Sequence, residues 1–260
     1  MNRIEKLFQN RHEPVLSIYF CAGTPDPEGT VGVIQALQSH GVDMVEIGIP
    51  FSDPLADGRV IQEASTRALR QGMTLTRLMG QLAGIREAGI RIPLVLMGYL
   101  NPIMQYGFER FCQDCSRCGI DGVIIPDLPF DEYMQEYRPI AQRYDLRFVM
   151  LITPETSEER IRLIDANTDS FLYIVSSASV TGAQNNFDEG HQKYFRRIAD
   201  MHLRNPRLIG FGISNRQTYA VATAHAAGCI VGSRFVKLLE SCQGDAGKAI
   251  DLLRERLSQE

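Results

Sequence analysis

The strongest constraint on this chain is an alternation of short apolar, β-rich runs with longer segments of helical periodicity, repeated eight times from end to end. The runs predict strands over 15–21, 43–49, 92–98, 121–125, 146–152, 169–175, 207–211 and 228–231. The patterns between and after them predict helices over 29–40, 58–88, 103–118, 131–144, 157–166, 191–203, 214–227 and 234–257. Val123, Ile124 and Ile125 are apolar in succession, as expected of a parallel strand covered on both faces. Pro14, Pro93 and Pro206 stand near strand starts, and Gly119 and Gly228 near helix ends, where each is tolerated. Eight such units in 260 residues fit an α/β chain folded as a TIM (β/α)8 barrel, with a doubly wound open sheet as the alternative. Residues 1–8 read as a short extra N-terminal amphipathic helix. No linker or low-complexity segment divides the chain, so residues 1–260 are expected to form a single barrel domain.

A net charge of -4 without a basic run argues against nucleic acid as a partner. No apolar run approaches the roughly 20 residues of a membrane helix. The N-terminus lacks the apolar core and cleavage site of a signal peptide, and the protein is expected to be cytoplasmic. Cys112, Cys115 and Cys118 form a C-x2-C-x2-C run that superficially suggests an iron–sulfur cluster. The run lies in a helical pattern ending at Gly119, where successive members stand about 300° apart, so it reads as small, partly buried helix residues. Cys21, Cys229 and Cys242 are isolated and read as core filler.

In a barrel, chemistry sits at the C-terminal ends of the strands. The second strand carries Glu46 inside the apolar run Met44–Ile49, on the same face as Met44 and Gly48 by the two-residue period. Hydrocarbon around a carboxylate favours its neutral form and raises its pKa toward working pH, as acid–base catalysis requires. A structural ion pair with an Arg or Lys is the alternative. Two further carboxylates, Asp53 and Asp57, follow in the turn. Asp57 could equally cap the helix that starts at Gly58.

After the seventh and eighth expected strands come Gly210-Phe211-Gly212 and Gly232-Ser233, turns that let backbone N–H groups approach a ligand. Paired glycine turns in that order are where many barrels hold a phosphate, although tight βα turns alone also need glycine. Tyr19, Phe51, Met97, Tyr99, Tyr173, Phe211 and Ile230 gather at strand ends and could line a flat pocket. The four lysines and five histidines lie in helices and loops, so no Schiff-base nucleophile and no metal cluster suggests itself. Carboxylate acid–base chemistry on a phosphorylated substrate, without metal or cofactor, remains.

These residues resemble the tryptophan synthase alpha chain family. The run from Glu46 to Gly58 (EIGIPFSDPLADG) is similar to that family's signature, and matches continue at residues 99–102, 121–129, 180–182, 210–214 and 231–233. The resemblance implies retro-aldol cleavage of indole-3-glycerol phosphate to indole and glyceraldehyde 3-phosphate, as one step of tryptophan biosynthesis. It implies a complex of two alpha and two beta chains, with pyridoxal phosphate only in the beta chain. By position, Glu46 is the main acid–base group and Asp57 the second catalytic carboxylate. Tyr19, Met97, Tyr99, Tyr173 and Ile230 would surround the substrate. Gly182, Gly210, Phe211, Gly212, Gly232 and Ser233 would hold its phosphate. Asp53 is assigned either to solvent or to the beta-chain interface.

The segment from Ser176 to about Gly190 is long for a βα loop and rich in Ser, Gly and Asn, which suits a lid whose Thr181 hydrogen-bonds Asp57 on closure, with a disordered surface loop as the alternative. Arg59, Ser179 and Arg234 depart from the family pattern. Arg59 could loosen the start of its helix, Ser179 could alter the lid, and Arg234 could assist phosphate binding or point into solvent. Two other readings stand beside the lyase: another phosphate-binding barrel enzyme, and a non-catalytic barrel that regulates a partner chain.

Overall fold

A computed structural model of the chain describes residues 1–176 and 186–258. Its parallel strands are β1 (Val15–Cys21), β2 (Met44–Gly48), β3 (Leu94–Met97), β4 (Gly122–Ile124), β5 (Arg147–Ile152), β6 (Leu172–Val175), β7 (Arg207–Gly210) and β8 (Gly228–Val231). They pair in chain order and β8 returns to β1, which closes the barrel and decides against the open sheet. Closure leaves no unpaired strand edge, and the surrounding helices cover the outer faces, so nearly every strand residue is buried.

The extra N-terminal helix, Arg3–Asn10, sits against one end of the barrel. Asn2 caps it by accepting from the Ile4 N–H, and its own Nδ2 donates to the Asp121 carbonyl. Ile4 is fully buried. Its Cδ1 would lie 2.9 Å from a Cβ at Gly122, so glycine at the start of β4 makes room for it. Asp121 anchors the same end through Arg3 and Arg86 at 3.0 and 2.7 Å, and accepts from the Leu94 N–H.

Three of the expected helices are broken where their apolar periodicity continues. The segment 58–88 contains Arg59–Arg70 and Leu75–Leu82; Gly72 at φ +78° ends the first and Thr74 caps the second through the Arg77 N–H. Leu100–Tyr106 and Phe108–Cys118 meet at Gly107 (φ +93°). Ser233–Ser241 and Ala246–Ser258 are separated by Gly244 (φ +90°). Side-chain periodicity does not register a single left-handed residue, which is enough to end a hydrogen-bond ladder. Cys112, Cys115 and Cys118 are free, buried thiols on one helix, and burial pushes that of Cys112 up to about 12. Cys21 and Cys229 are also buried, whereas Cys242 is only partly so.

Candidate active site

Parallel pairing of β1 with β2 sets Tyr19 opposite Glu46. Two residues earlier on the same face of β1, Ser17 donates from Oγ to Glu46 Oε1 at 3.1 Å. Both residues are wholly buried, and Glu46 Oε2 has no hydrogen-bond partner. No cation pairs with this carboxyl among the described residues, so the ion-pair alternative does not hold. Burial without a counter-charge pushes the Glu46 pKa up to about 8, against a smaller opposing effect of the Ser17 hydrogen bond. At neutral pH Glu46 is therefore a neutral acid.

Asp57 stands in the turn after β2, 7% exposed. Tyr99, at the end of β3, donates from Oη to Asp57 Oδ2 at 3.1 Å and accepts from the Ala56 N–H at 3.1 Å. The Tyr99 ring packs on Phe51 with centroids 5.2 Å apart. One aromatic side chain thus fixes the loop backbone and the carboxylate together. Desolvation raises the Asp57 pKa to about 6, opposed by the Tyr99 hydrogen bond. The helix cap is Gly58, and the Asp57 side chain makes no capping bond, so the capping alternative is not what occurs. Gln62 Nε2 instead holds the Asp57 carbonyl at 2.7 Å.

A cavity opens beside these groups. Tyr19, Met97, Tyr173 and Ile230 form its strand walls, Asp57 and Ile61 one rim, and Phe211, Gly212, Ile213, Gly232, Ser233 and Arg234 the other. Two glycines make room for the aromatic walls. A Cβ at Gly48 would lie 2.2 Å from the Tyr19 hydroxyl oxygen, and one at Gly210 2.2 Å from that of Tyr173. Gly210 is absent from the cavity wall, so it shapes the site by letting the Tyr173 ring lie across β7.

The rim after β7 and β8 is built from backbone. Phe211 and Gly212 are consecutive left-handed residues, at φ +69° and +77°. Such strain at a non-glycine residue is held here by the Ser176 Oγ–H, which donates to the Phe211 carbonyl at 3.0 Å. The Phe211 ring packs edge-on against Tyr173. The helix Ser233–Ser241 begins at Gly232, with no side-chain cap, so its first-turn N–H groups have no intrahelical acceptor and carry the positive end of the helix dipole.

The structure therefore brings together Tyr19, Asp57, Met97, Tyr173, Phe211, Gly212, Ile230, Gly232 and Ser233 around one cavity. Glu46 and Tyr99 stand just behind it. Thr181, Gly182 and Ser179 lie outside the described residues. Asp53 is exposed and is hydrogen-bonded by its neighbour Ser52. Sequence reasoning missed Ser17, Ile61 and Ile213. The two-residue period that places Tyr19 on the inner face places Ser17 there too, which is the signal that could have found it.

The family model described as "Tryptophan synthase alpha chain" matches residues 6–259. The tryptophan synthase alpha chain of Phocaeicola vulgatus is 64% identical over 257 residues, 99% of either chain. Among solved structures, the tryptophan synthase alpha chain of Legionella pneumophila superposes with a TM-score of 0.87 at 32% identity, covering 99% of this chain and 96% of that one. A chain of the Pyrococcus furiosus tryptophan synthase complex gives 0.83 at 33% identity, covering 94% and 97%. With near-complete coverage in sequence and in structure, this chain belongs to the tryptophan synthase alpha chain family.

Proposed function

We propose that the cavity cleaves indole-3-glycerol phosphate to indole and glyceraldehyde 3-phosphate, the reaction of the family, with Glu46 and Asp57 as its catalytic groups. The observation that carries this division is the contrast in surroundings: Glu46 is wholly buried with Ser17 on one oxygen and nothing on the other, which pushes it up to about 8, whereas Asp57 keeps the Tyr99 hydroxyl at 3.1 Å and is pushed only to about 6. Protonation of indole C3 by Glu46 gives an indolenine whose ring nitrogen is electron-poor. Asp57, still ionised, accepts the ring N–H and stabilises that charge. Glu46 carboxylate then takes the proton of the side-chain hydroxyl as the C–C bond breaks. The bonding electrons return to the ring, the hydroxyl carbon becomes the aldehyde, and Glu46 is protonated again.

The Glu46 carboxyl rests toward Ser17, on the N-terminal side of Tyr19, so its side chain turns toward the cavity to deliver the proton. Tyr19, Met97, Tyr173 and Ile230 would hold the indole, with Tyr99 orienting Asp57. The rim of Phe211, Gly212, Gly232 and Ser233 would hold the phosphate, with Gly182 and Gly210 assigned to the same end and Thr181 to Asp57.

The chain is the alpha subunit of tryptophan synthase, for which a heterotetramer with two beta chains is proposed. Asp53 stands in an exposed loop with Leu55, 79% exposed, a pairing suited to that interface. Pyridoxal phosphate belongs to the beta chain in this reading, and the alpha reaction proceeds without cofactor or metal. The reading takes residues 1–260 as one domain and places the enzyme in the cytoplasm; no helix among the described residues is long and apolar enough to cross a membrane. The test is release of indole from indole-3-glycerol phosphate, with and without the beta chain. Indole is expected in both, faster with the partner. None in either would leave the non-catalytic barrel.

A further inference from the structure

The helix after β8 carries an arginine at its second position, Arg234, directly after the Gly232-Ser233 turn. Arg234 lines the cavity on the same rim as Phe211, Gly212 and Ser233. It is partly buried, and its Nε is fully buried without a hydrogen-bond partner. An arginine taken from water usually rests on a carboxylate, because its five donors are costly to leave unmet. Here no carboxylate pairs with it among the described residues. Among the described residues the charged group that acts on it is another cation, Arg256 of the last helix. Desolvation and that cation both act against its charge, and among the described residues no anion offsets them.

We propose that Arg234 is a side-chain ligand of the substrate's phosphate, which gives this rim a full positive charge beside its backbone N–H groups. The inference rests on the cavity's being a site for a phosphorylated substrate. Backbone amides and the helix terminus orient an anion and supply only partial charge. A guanidinium supplies a whole charge and two parallel donors, and so favours the dianionic phosphate over a neutral hydroxyl or a monoanion in the same place. A phosphoryl group is mostly dianionic at neutral pH. An anion bound in the cavity also offsets the repulsion between Arg234 and Arg256.

The experiment is calorimetric titration of the full chain in complex with its beta chain, using glycerol 3-phosphate as the phosphate probe and indole as the uncharged probe. Arg234→Ala is expected to weaken glycerol 3-phosphate about tenfold or more and to leave indole within about twofold. Arg234→Lys should recover part of the loss, because the charge returns without the paired donors. In turnover, KM for indole-3-glycerol phosphate should rise far more than kcat falls. Glycerol 3-phosphate affinity unchanged in Arg234→Ala, with the wild type binding both probes, overturns this inference alone. Equal losses for both probes also overturn it, since they mark a disturbed helix rather than a lost ligand. A wild type that binds neither probe overturns the reading of the cavity as well.

Discussion

The two sides of the barrel mouth solve opposite electrostatic problems. On the side of β2 and β3, two carboxyls are buried with no cation beside them among the described residues, and each is moved toward neutrality. On the side of β7 and β8, backbone N–H groups and Arg234 present positive potential that no anion among the described residues meets. The first side gains proton-transfer capacity at neutral pH from desolvation that would otherwise only destabilise the fold. The second is incomplete until an anion arrives. In the proposed function catalysis and anchoring are separated in space: chemistry is assigned to side chains on a strand end and its loop, binding to glycine turns and a helix terminus. The two sides meet across the strand walls of Tyr19, Met97, Tyr173 and Ile230.

That division can be broken most forcefully at Glu46. Glu46→Gln keeps size and the Ser17 contact while removing the transferable proton, and indole release should fall on the order of 10³-fold. Affinity for glycerol 3-phosphate, measured by calorimetry, should stay within about tenfold, because the anion is held by the opposite rim. A parallel loss of both would merge the two sides into one. Asp57→Asn should lower kcat by about 10²-fold, with a smaller change in KM, since an amide cannot stabilise the charge on the indolenine nitrogen.

Smaller effects sharpen the comparison. Tyr99→Phe keeps the ring on Phe51 but removes the hydroxyl that donates to Asp57. Losing that donor disfavours the ionised form, so the lower limb of the pH–rate curve should move up and kcat at neutral pH should drop a few-fold.

Stability follows the same logic with a worked sign. The folded-state pKa of Glu46 lies above its unfolded value, so between about 4.5 and 8 the native state binds more protons and stability falls as pH rises. Glu46→Gln should therefore melt at a higher temperature than the wild type at pH 8.5, by several degrees, on the order of a few kcal/mol. Near pH 4 the gap should nearly close. A Tm difference independent of pH would show that Glu46 does not carry the raised pKa.

Much of this arrangement was legible in the sequence, for identifiable reasons. Glu46 stands out because a carboxylate inside an apolar period-two run has few structural uses, and Asp57 because it follows in the strand-end turn. The eightfold alternation leads to a parallel sheet because parallel strands need helical crossovers, while its closure rests on the pairing of β8 with β1. Other features depend on what lies across a strand or at a single backbone angle. Ser17 looks like an ordinary small residue until the β1–β2 register brings it to Glu46. Gly48 and Gly210 look like flexible or ligand-facing positions until tyrosine rings are seen lying over them. The helix breaks at Gly107 and Gly244 escape because apolar side chains continue in phase across each. Arg234 could be named as a departure from the family pattern, but its buried Nε could not be.

The central claim is that burial holds Glu46 protonated and Asp57 ionised at the same pH. It is tested most directly by kcat/KM for indole release from about pH 5 to 10, which reports the free enzyme's acid and base. The account predicts a bell with a lower limb near 6 from Asp57 and an upper limb near 8 from Glu46. A rate that stays level from neutral pH through pH 9 would contradict it, because Glu46 would then have no proton to give over much of the range where the enzyme works.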